Sequence, residues 1–358
     1  MRRRPAWAVP VTLVAILVGL VVMVFFGTRD DTSDVAVPSE PPAGTPSTPT
    51  SPSGPARAPL TGLPIDAGVA LDHPAVAIKV SDVQQAHPHV GVQHADIVFV
   101  EPIGVSYTRL AAVFHSQLPD LVGPVRSVRP MDAPLLGPLA PVFGNTMGAG
   151  WVMDYVDSVA NLDDLGTSRV RGSGAYVLDA QRPAPDHVFA KPAVLLELSE
   201  FTEPPEPYFS YAGESGLSSA AVADEPGRSV TVPYGSSWHI VWTYDESSGR
   251  YQRAEPWGPH TMADGTRISA VNVLVLDVES VLGKIGAGSG APVPILQLVD
   301  ATGRFVALSG GKAVPGTWSK AGVNDPFEFR TDSGEELLLS PGNTWVELPA
   351  PGAGVDTQ

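Results

Sequence analysis

Ala75-Val76-Ala77-Ile78-Lys79-Val80 and Ala95-Asp96-Ile97-Val98-Phe99-Val100 are the stretches whose reading decides the fold. Both are short, rich in valine and isoleucine, and apolar at successive rather than alternate positions. Side chains along a strand point to the two faces in turn, so such runs belong in a sheet covered on both sides. Arg109–His115 has the same character. Farther along, Trp151–Ala160 places Val152, Tyr155, Val156 and Val159 at helical spacing. Pro192–Ser199 opens on proline and carries a leucine-rich face; both segments predict helices. The first half thus predicts mixed α and β.

Between 201 and 230 the pattern dissolves into prolines, glycines, serines and acids, which marks a boundary. Beyond it the chain reads as β. Trp238, Ile240, Trp242 and Tyr244 alternate strictly, and a turn at 245–250 leads to a returning strand at Tyr251 and Arg253. Further apolar runs near 271–278, 295–299, 305–308, 327–330, 337–339 and 344–348 are mostly separated by turn chemistry. The expected fold is α+β: a mixed α/β part at 59–205 and a mostly antiparallel β part at 230–349, preceded by one transmembrane helix.

That helix is read from the start of the chain. Arg2, Arg3 and Arg4 form a basic tail at 1–5, and the run at 6–26 contains no charged residue. About 20 apolar residues span a hydrocarbon core of about 30 Å, and positive flanks stay on the cytoplasmic side. The run exceeds the roughly 7–15 apolar residues of a cleaved signal, so a retained anchor is expected, with the N-terminus cytoplasmic and the folded part outside. Residues 27–58, dense in Pro, Ser and Thr and free of aromatics, predict a disordered linker.

The chain has no cysteine, which excludes disulfides, a lipid-modified cysteine and a thiol nucleophile. Its formal charge is −16. Beyond the anchor, 19 basic residues face 38 acidic ones, a formal −19. Such a surface repels nucleic acid, which requires basic patches to displace counterions. Any bound anion must instead be held at close range by positioned arginines.

Several motifs fail on inspection. Ser309-Gly310-Gly311-Lys312 has the spacing of a penicillin-interacting serine enzyme, but its glycines suit a hairpin turn and the partner motifs are missing. His73, His87, His89 and His94, with Asp72, Asp82 and Asp96, have metal-ligand chemistry in a loop-like setting. No metal or cofactor is assigned. The densest unusual chemistry surrounds Gly123-Pro124-Val125-Arg126-Ser127-Val128-Arg129-Pro130. Two arginines three apart are fixed between prolines, with His115 and Ser116 upstream and Glu101 and Arg109 at or near strand ends. Guanidinium forks bind carboxylate or phosphate bidentately and keep their charge when buried.

These residues carry a resemblance. Pro59-Leu60-Thr61-Gly62-Leu63, Ala95 through Glu101, Thr108-Arg109, Val113 through Ser116, Val122 through Ser127, Arg129-Pro130 and Pro185-Asp186-His187 resemble the YerB-like family of bacterial lipoproteins. Pro259-His260, Asp264-Gly265, Gly316 through Ser319, Asp325-Pro326 and Pro341 through Val346 resemble its C-terminal part. The likeness runs from about 59 to 348. It implies an extracytoplasmic, membrane-attached protein of two parts and implies no reaction. The chain departs in lacking a lipobox cysteine, so a protein helix would replace the lipid anchor. It also keeps the family's lysine-x-aspartate-asparagine element only partly, as Lys79-Val80-Ser81-Asp82.

The candidate ligand-binding residues are Lys79, Asp82, Glu101, Arg109, His115, Ser116, Arg126, Ser127, Arg129, His187 and His260. No nucleophile–base–orienter set emerges, so catalytic residues are not assigned. The expected function is a membrane-anchored envelope binding module for a wall component or partner protein. The alternative is an envelope hydrolase or transferase with Glu and His as acid–base groups.

Overall fold

Each of the three leading apolar runs forms a strand, and one sheet gathers them. The computed structural model describes residues 56–66, 68–104, 107–213, 216–285, 292–349 and 356–357. The tail at 1–5, the anchor at 6–26 and the linker up to residue 55 lie outside these residues. The last linker positions are ordered: Arg57 pairs with Pro64, and Ala58 is buried. Among the described residues no helix is long and apolar enough to cross a membrane.

Strands β1 (Val76–Ser81), β2 (Ile97–Ile103) and β3 (Tyr107–Phe114) pair antiparallel, with β3 in the middle. All six residues of β1 are buried, as a strand covered on both faces requires. After α1 (Asp132–Leu136), β4 (Val142–Gly144) adds to β1 in parallel. Helix α2 (Gly150–Val159) leads to β5 (Asp163–Asp164) at the sheet edge. A small hairpin, β6 (Tyr176–Leu178) with β7 (Val188–Ala190), precedes α3 (Pro192–Leu198).

In the second half, β8 (Ser229–Pro233), β9 (His239–Asp245), β10 (Arg250–Glu255), β11 (Gly258–Pro259) and β12 (Ser269–Ala270) build a second sheet. The chain then forms β13 (Asn272–Leu276) and a hairpin of β14 (Ser280–Ile285) with β15 (Pro292–Leu296). There follow β16 (Ala301–Ser309), β17 (Lys312–Lys320), β18 (Glu328–Thr331), β19 (Thr344–Glu347) and β20 (Asp356–Thr357), the last pairing with β8. Gly310 and Gly311, at φ 57° and 76°, close the β16–β17 hairpin. A two-residue turn of this hand demands positive φ at both positions. Ser309 therefore sits at a strand end, opposite Lys312, and opens no helix.

The large sheet has the order β18-β17-β16-β13-β19-β2-β3-β1-β4-β5. In this arrangement the parts at 59–205 and 230–349 both contribute strands to one sheet. Strand β19 lies parallel between β13 and β2, with Trp345 opposite both Val273 and Val98. Trp345 and Val346, which point to opposite faces, are both buried. The mixed α/β character expected of the first part is reduced. The described α-helices are three and short, and the fold is largely β. Prolines at 124 and 130 hold the segment before α1 out of helical geometry.

Alternation along the central strands creates two cores. Val76, Ile78, Val80, Val98, Val100, Leu110 and Trp345 pack against Val232, Ile240, Trp242 and Tyr251 of the second sheet. Ala77, Phe99, Ala111 and Val113 pack on the opposite face against Met131, Leu135, Val152 and Val156. The molecule is therefore layered as helices, sheet and second sheet. Where β1 and β2 end and β3 begins, polar residues replace this apolar alternation on both faces.

Candidate functional site

On the helix-side face, Ser81, Arg109 and Glu101 lie side by side across three strands, and Lys79 shares their face two residues from Ser81. Lys79 Nζ pairs with Glu101 and lies 2.6 Å from Asp132 Oδ1 at the start of α1; all three side chains are fully buried. Asp132 Oδ2 accepts the backbone N–H of Arg129 at 2.6 Å, which ties the proline-flanked segment to the sheet. Burial, reinforced by Asp132, pushes the Glu101 carboxyl up to about 8 against the opposing pull of Lys79.

Three guanidiniums converge here. Arg109 is buried, while Arg126 and Arg129 are half-buried. Burial lowers the pKa of Arg109, and the neighbouring charges of Arg129 and Arg126 lower it further. Arginine does not deprotonate in proteins, so the cluster holds like charges together, partly offset by Asp186 and Glu101. Arg109 donates to the Ser127 carbonyl at a long 3.4 Å, and Arg129 donates to the Val128 carbonyl at 2.9 Å. Arg126 Nε is 3.8 Å from Asp186 Oδ1. The Nε groups of Arg109 and Arg126 are buried without hydrogen-bond partners. His187 follows Asp186 into this margin, because Val125 N–H bonds the Val188 carbonyl at 2.7 Å. Its Nδ1 is likewise buried and unpartnered.

The opposite face holds a second constellation. Asp82 accepts Thr108 Oγ1 at 2.7 Å and Arg253 at 2.9 Å. Arg253, fully buried on β10, also pairs with Glu255, and its NH1 donates to His260 Nδ1 at 2.9 Å. His260 Nε2 meets His89 Nδ1 at 3.2 Å, and His87 Nε2 lies 3.3 Å from Asp82 Oδ1. Glu347 of β19 closes the nest, accepting Tyr234 Oη at 2.7 Å and Trp242 Nε1 at 2.8 Å. Burial alone would raise the Asp82 pKa, yet Arg253 and His87 hold it well below the usual range. Glu255 is pushed well up by burial, and Glu347 is raised for the same reason. His89 and His260 are held well below their usual value, chiefly by burial.

The structure thus divides the candidates among three places. Lys79, Glu101, Arg109, Arg126, Ser127, Arg129 and His187 gather on the helix-side face. Asp82 and His260 belong to the nest behind it. The placement of His115 and Ser116 with the arginines is corrected: they lie past the far end of β3. Asp96 Oδ2 accepts their N–H groups at 2.7 and 2.8 Å, and Ser116 Oγ bonds Asp96 Oδ1. They brace a strand end. Trp242, Trp318 and Trp345 are core. Trp257 and Trp238 instead line a groove of about 500 Å³ with Tyr107, Val83 and Gln84.

Sequence reasoning missed Asp132, Asp186, Arg253, Glu255 and Glu347. For Arg253 a signal existed, since it shares the core-facing period with Tyr251. Glu255 shares that signal, two residues from Arg253 on the same strand face; for Glu347 there was none, because Tyr234, Trp242 and Arg253 are distant in sequence.

Residues 60–203 match a family described as "Protein of unknown function (DUF3048) N-terminal domain", and residues 230–346 match its C-terminal domain. A relative described as "Putative lipoprotein YerB" from Bacillus subtilis (strain 168) is 44% identical over 73 residues. That alignment spans 20% of this chain and 22% of the relative. The crystal structure of YerB protein from Bacillus subtilis superposes with a TM-score of 0.71 at 21% identity, covering 84% of this chain and 100% of that one. At that identity the likeness bears on the fold alone.

Proposed function

The chain belongs to this two-part family of unknown function, and from that premise and its geometry we propose an envelope binding protein that grips a phosphate or carboxylate with Arg109, Arg126 and Arg129. One observation carries the reading: three guanidiniums converge where the carboxylates present already serve Lys79, a backbone N–H or a loose 3.8 Å contact. An anion entering there would accept charge-assisted hydrogen bonds from donors that now lack partners. The protein's strongly acidic composition makes that recognition short-range, because an acidic surface does not draw anions from a distance.

The envelope placement rests on the relative described as a lipoprotein and on the arginine-then-apolar start of the chain. In this proposal the segment at 6–26 anchors the protein with its N-terminus cytoplasmic, and the ligand is a wall-derived fragment carrying phosphate or carboxylate. The experiment is calorimetric titration of the parent chain and of Arg126→Ala with inorganic phosphate and with muramyl dipeptide. We expect saturable binding of at least one probe and a loss of about tenfold or more in Arg126→Ala, the scale of one charge-assisted bond. Equal binding by both proteins, or no heat from either probe, would remove the proposal.

A further inference from the structure

We propose that His87, His89 and His260, together with the Glu255 carboxylate, form a binding site for a divalent transition metal of the zinc class. Two close groups of candidate ligands overlap at His87. One comprises His87, His89 and His260; the other comprises Asp82, His87 and Glu255. In each, the ligand atoms lie within 4.8 Å of one another. Around a zinc ion with bonds of about 2.0–2.1 Å, tetrahedral ligands stand about 3.4 Å apart. Rotamer-scale adjustments of the side chains therefore complete the shell.

Unpartnered atoms support this assignment. His89 Nε2 and Glu255 Oε2 are buried without a hydrogen-bond partner, and His87 Nε2 has the 3.3 Å approach of Asp82 Oδ1. Leaving such groups buried and unsatisfied is costly, so their gathering in one nest calls for an occupant. The hydrogen-bond chain sharpens the point. Arg253 can only donate, so His260 Nδ1 accepts, and Nε2–H donates to His89 Nδ1. The proton this forces onto His89 Nε2 then points at no acceptor. A metal resolves the conflict by taking nitrogen lone pairs.

Charge balance points the same way. Asp82, Glu255 and Glu347 are buried carboxylates, and among the described residues Arg253 is the cation paired with them. With all three ionised, a formal surplus of two negative charges remains, which one divalent ion would balance. Three imidazoles select zinc-like metals over calcium or magnesium, which take oxygen ligands. Glu255 is the better carboxylate ligand because both Asp82 oxygens already face donors: Thr108 and Arg253 at one, His87 and Arg253 at the other. The site joins β10 and the turn beyond β11 to the loop after β1, and so clamps the two sheets. It stands on the opposite face from the arginines and is independent of the anion reading.

The test uses the full chain in detergent, stripped with a chelator and dialysed, then titrated with zinc, cobalt(II) or calcium. We expect one zinc per chain, a melting temperature that rises with zinc and not with calcium, and the intense visible bands of four-coordinate cobalt. His87→Ala, which changes the most exposed ligand, should lose at least tenfold in zinc affinity with unchanged metal-free melting. Arg126→Lys should bind zinc as the parent does. No stoichiometric zinc, parental affinity in His87→Ala, or the pale spectrum of hydrated cobalt would each overturn the proposal. Should His87→Ala melt early without metal, the parent's cobalt spectrum decides alone.

Discussion

Two polar clusters lie back to back across the same strand end, one sheet apart, and their charge imbalances are opposite. On the helix side, Lys79, Arg109, Arg126 and Arg129 outnumber Glu101, Asp132 and Asp186. On the other side, Asp82, Glu255 and Glu347 outnumber Arg253. Their access differs as well. The Arg126 side chain is 21% exposed, whereas Asp82, Arg253, Glu255 and His260 show none of their side-chain surface. Charge left uncompensated in low dielectric is costly, so each imbalance marks a place for an outside partner. The open side suits exchange of a ligand, and the sealed side suits a resident ion.

The contrast rests on both halves sharing one sheet, and removing one half gives the largest expected effect. A fragment of residues 230–349 would expose the β19 edge and one side of Trp345. It should lack a cooperative melt and show the circular dichroism of an unfolded chain. A fragment with native-like β signal and a sharp transition would separate the halves and break the comparison.

Next in size is the central cation of the sealed nest. Arg253→Ala leaves three buried carboxylates without their partner, and breaking buried pairs in this way costs about 3–5 kcal/mol. The same truncation at half-exposed Arg126 should cost less than about 1 kcal/mol, since its one carboxylate contact is long. Urea midpoints of the two variants measure the difference. Similar losses would mean that both clusters are structural.

A smaller effect comes from the strand end distant from both clusters. Burial, with help from His73, depresses His115 from 6.5 to about 4. Between those values the unfolded chain binds a proton that the folded chain refuses, so stability is present above about 6.5 and lost as pH falls towards 4. His115→Gln should flatten that part of the stability–pH curve without changing anion binding. A curve parallel to the parent's would contradict the assignment.

Much of this fold is legible in local sequence. The doubly apolar runs at 75–80 and 95–100 became inner strands, and the alternation from Trp238 to Tyr244 became β9. The hairpin at Gly310–Gly311 was readable because only residues tolerant of positive φ close such a turn. What was hidden is non-local. Nothing within Thr344–Glu347 tells that it lies between β13 and β2. Strand β17 was obscured by Pro315 and Gly316, which its partners β16 and β18 accommodate. The arginine cluster was legible because its backbone is short and proline-bounded. The histidine nest was legible only in part: His87, His89 and Asp82 stand out together, but Arg253, Glu255 and His260 meet them only when the sheets pack. His115 and Ser116 misled because they directly follow the strand that carries Arg109, and closeness in sequence does not survive six or seven residues of rise.

The most direct test of the central claim, that the arginine side holds a ligand rather than bracing a loop, compares melting of the parent and Arg126→Lys with and without muramyl dipeptide or phosphate. Lysine keeps the charge but loses the bidentate fork. The account predicts equal melting temperatures without ligand, a concentration-dependent rise in the parent, and little or no rise in Arg126→Lys. An unliganded Arg126→Lys that melts far below the parent, with no rise in the parent from either anion, would contradict it.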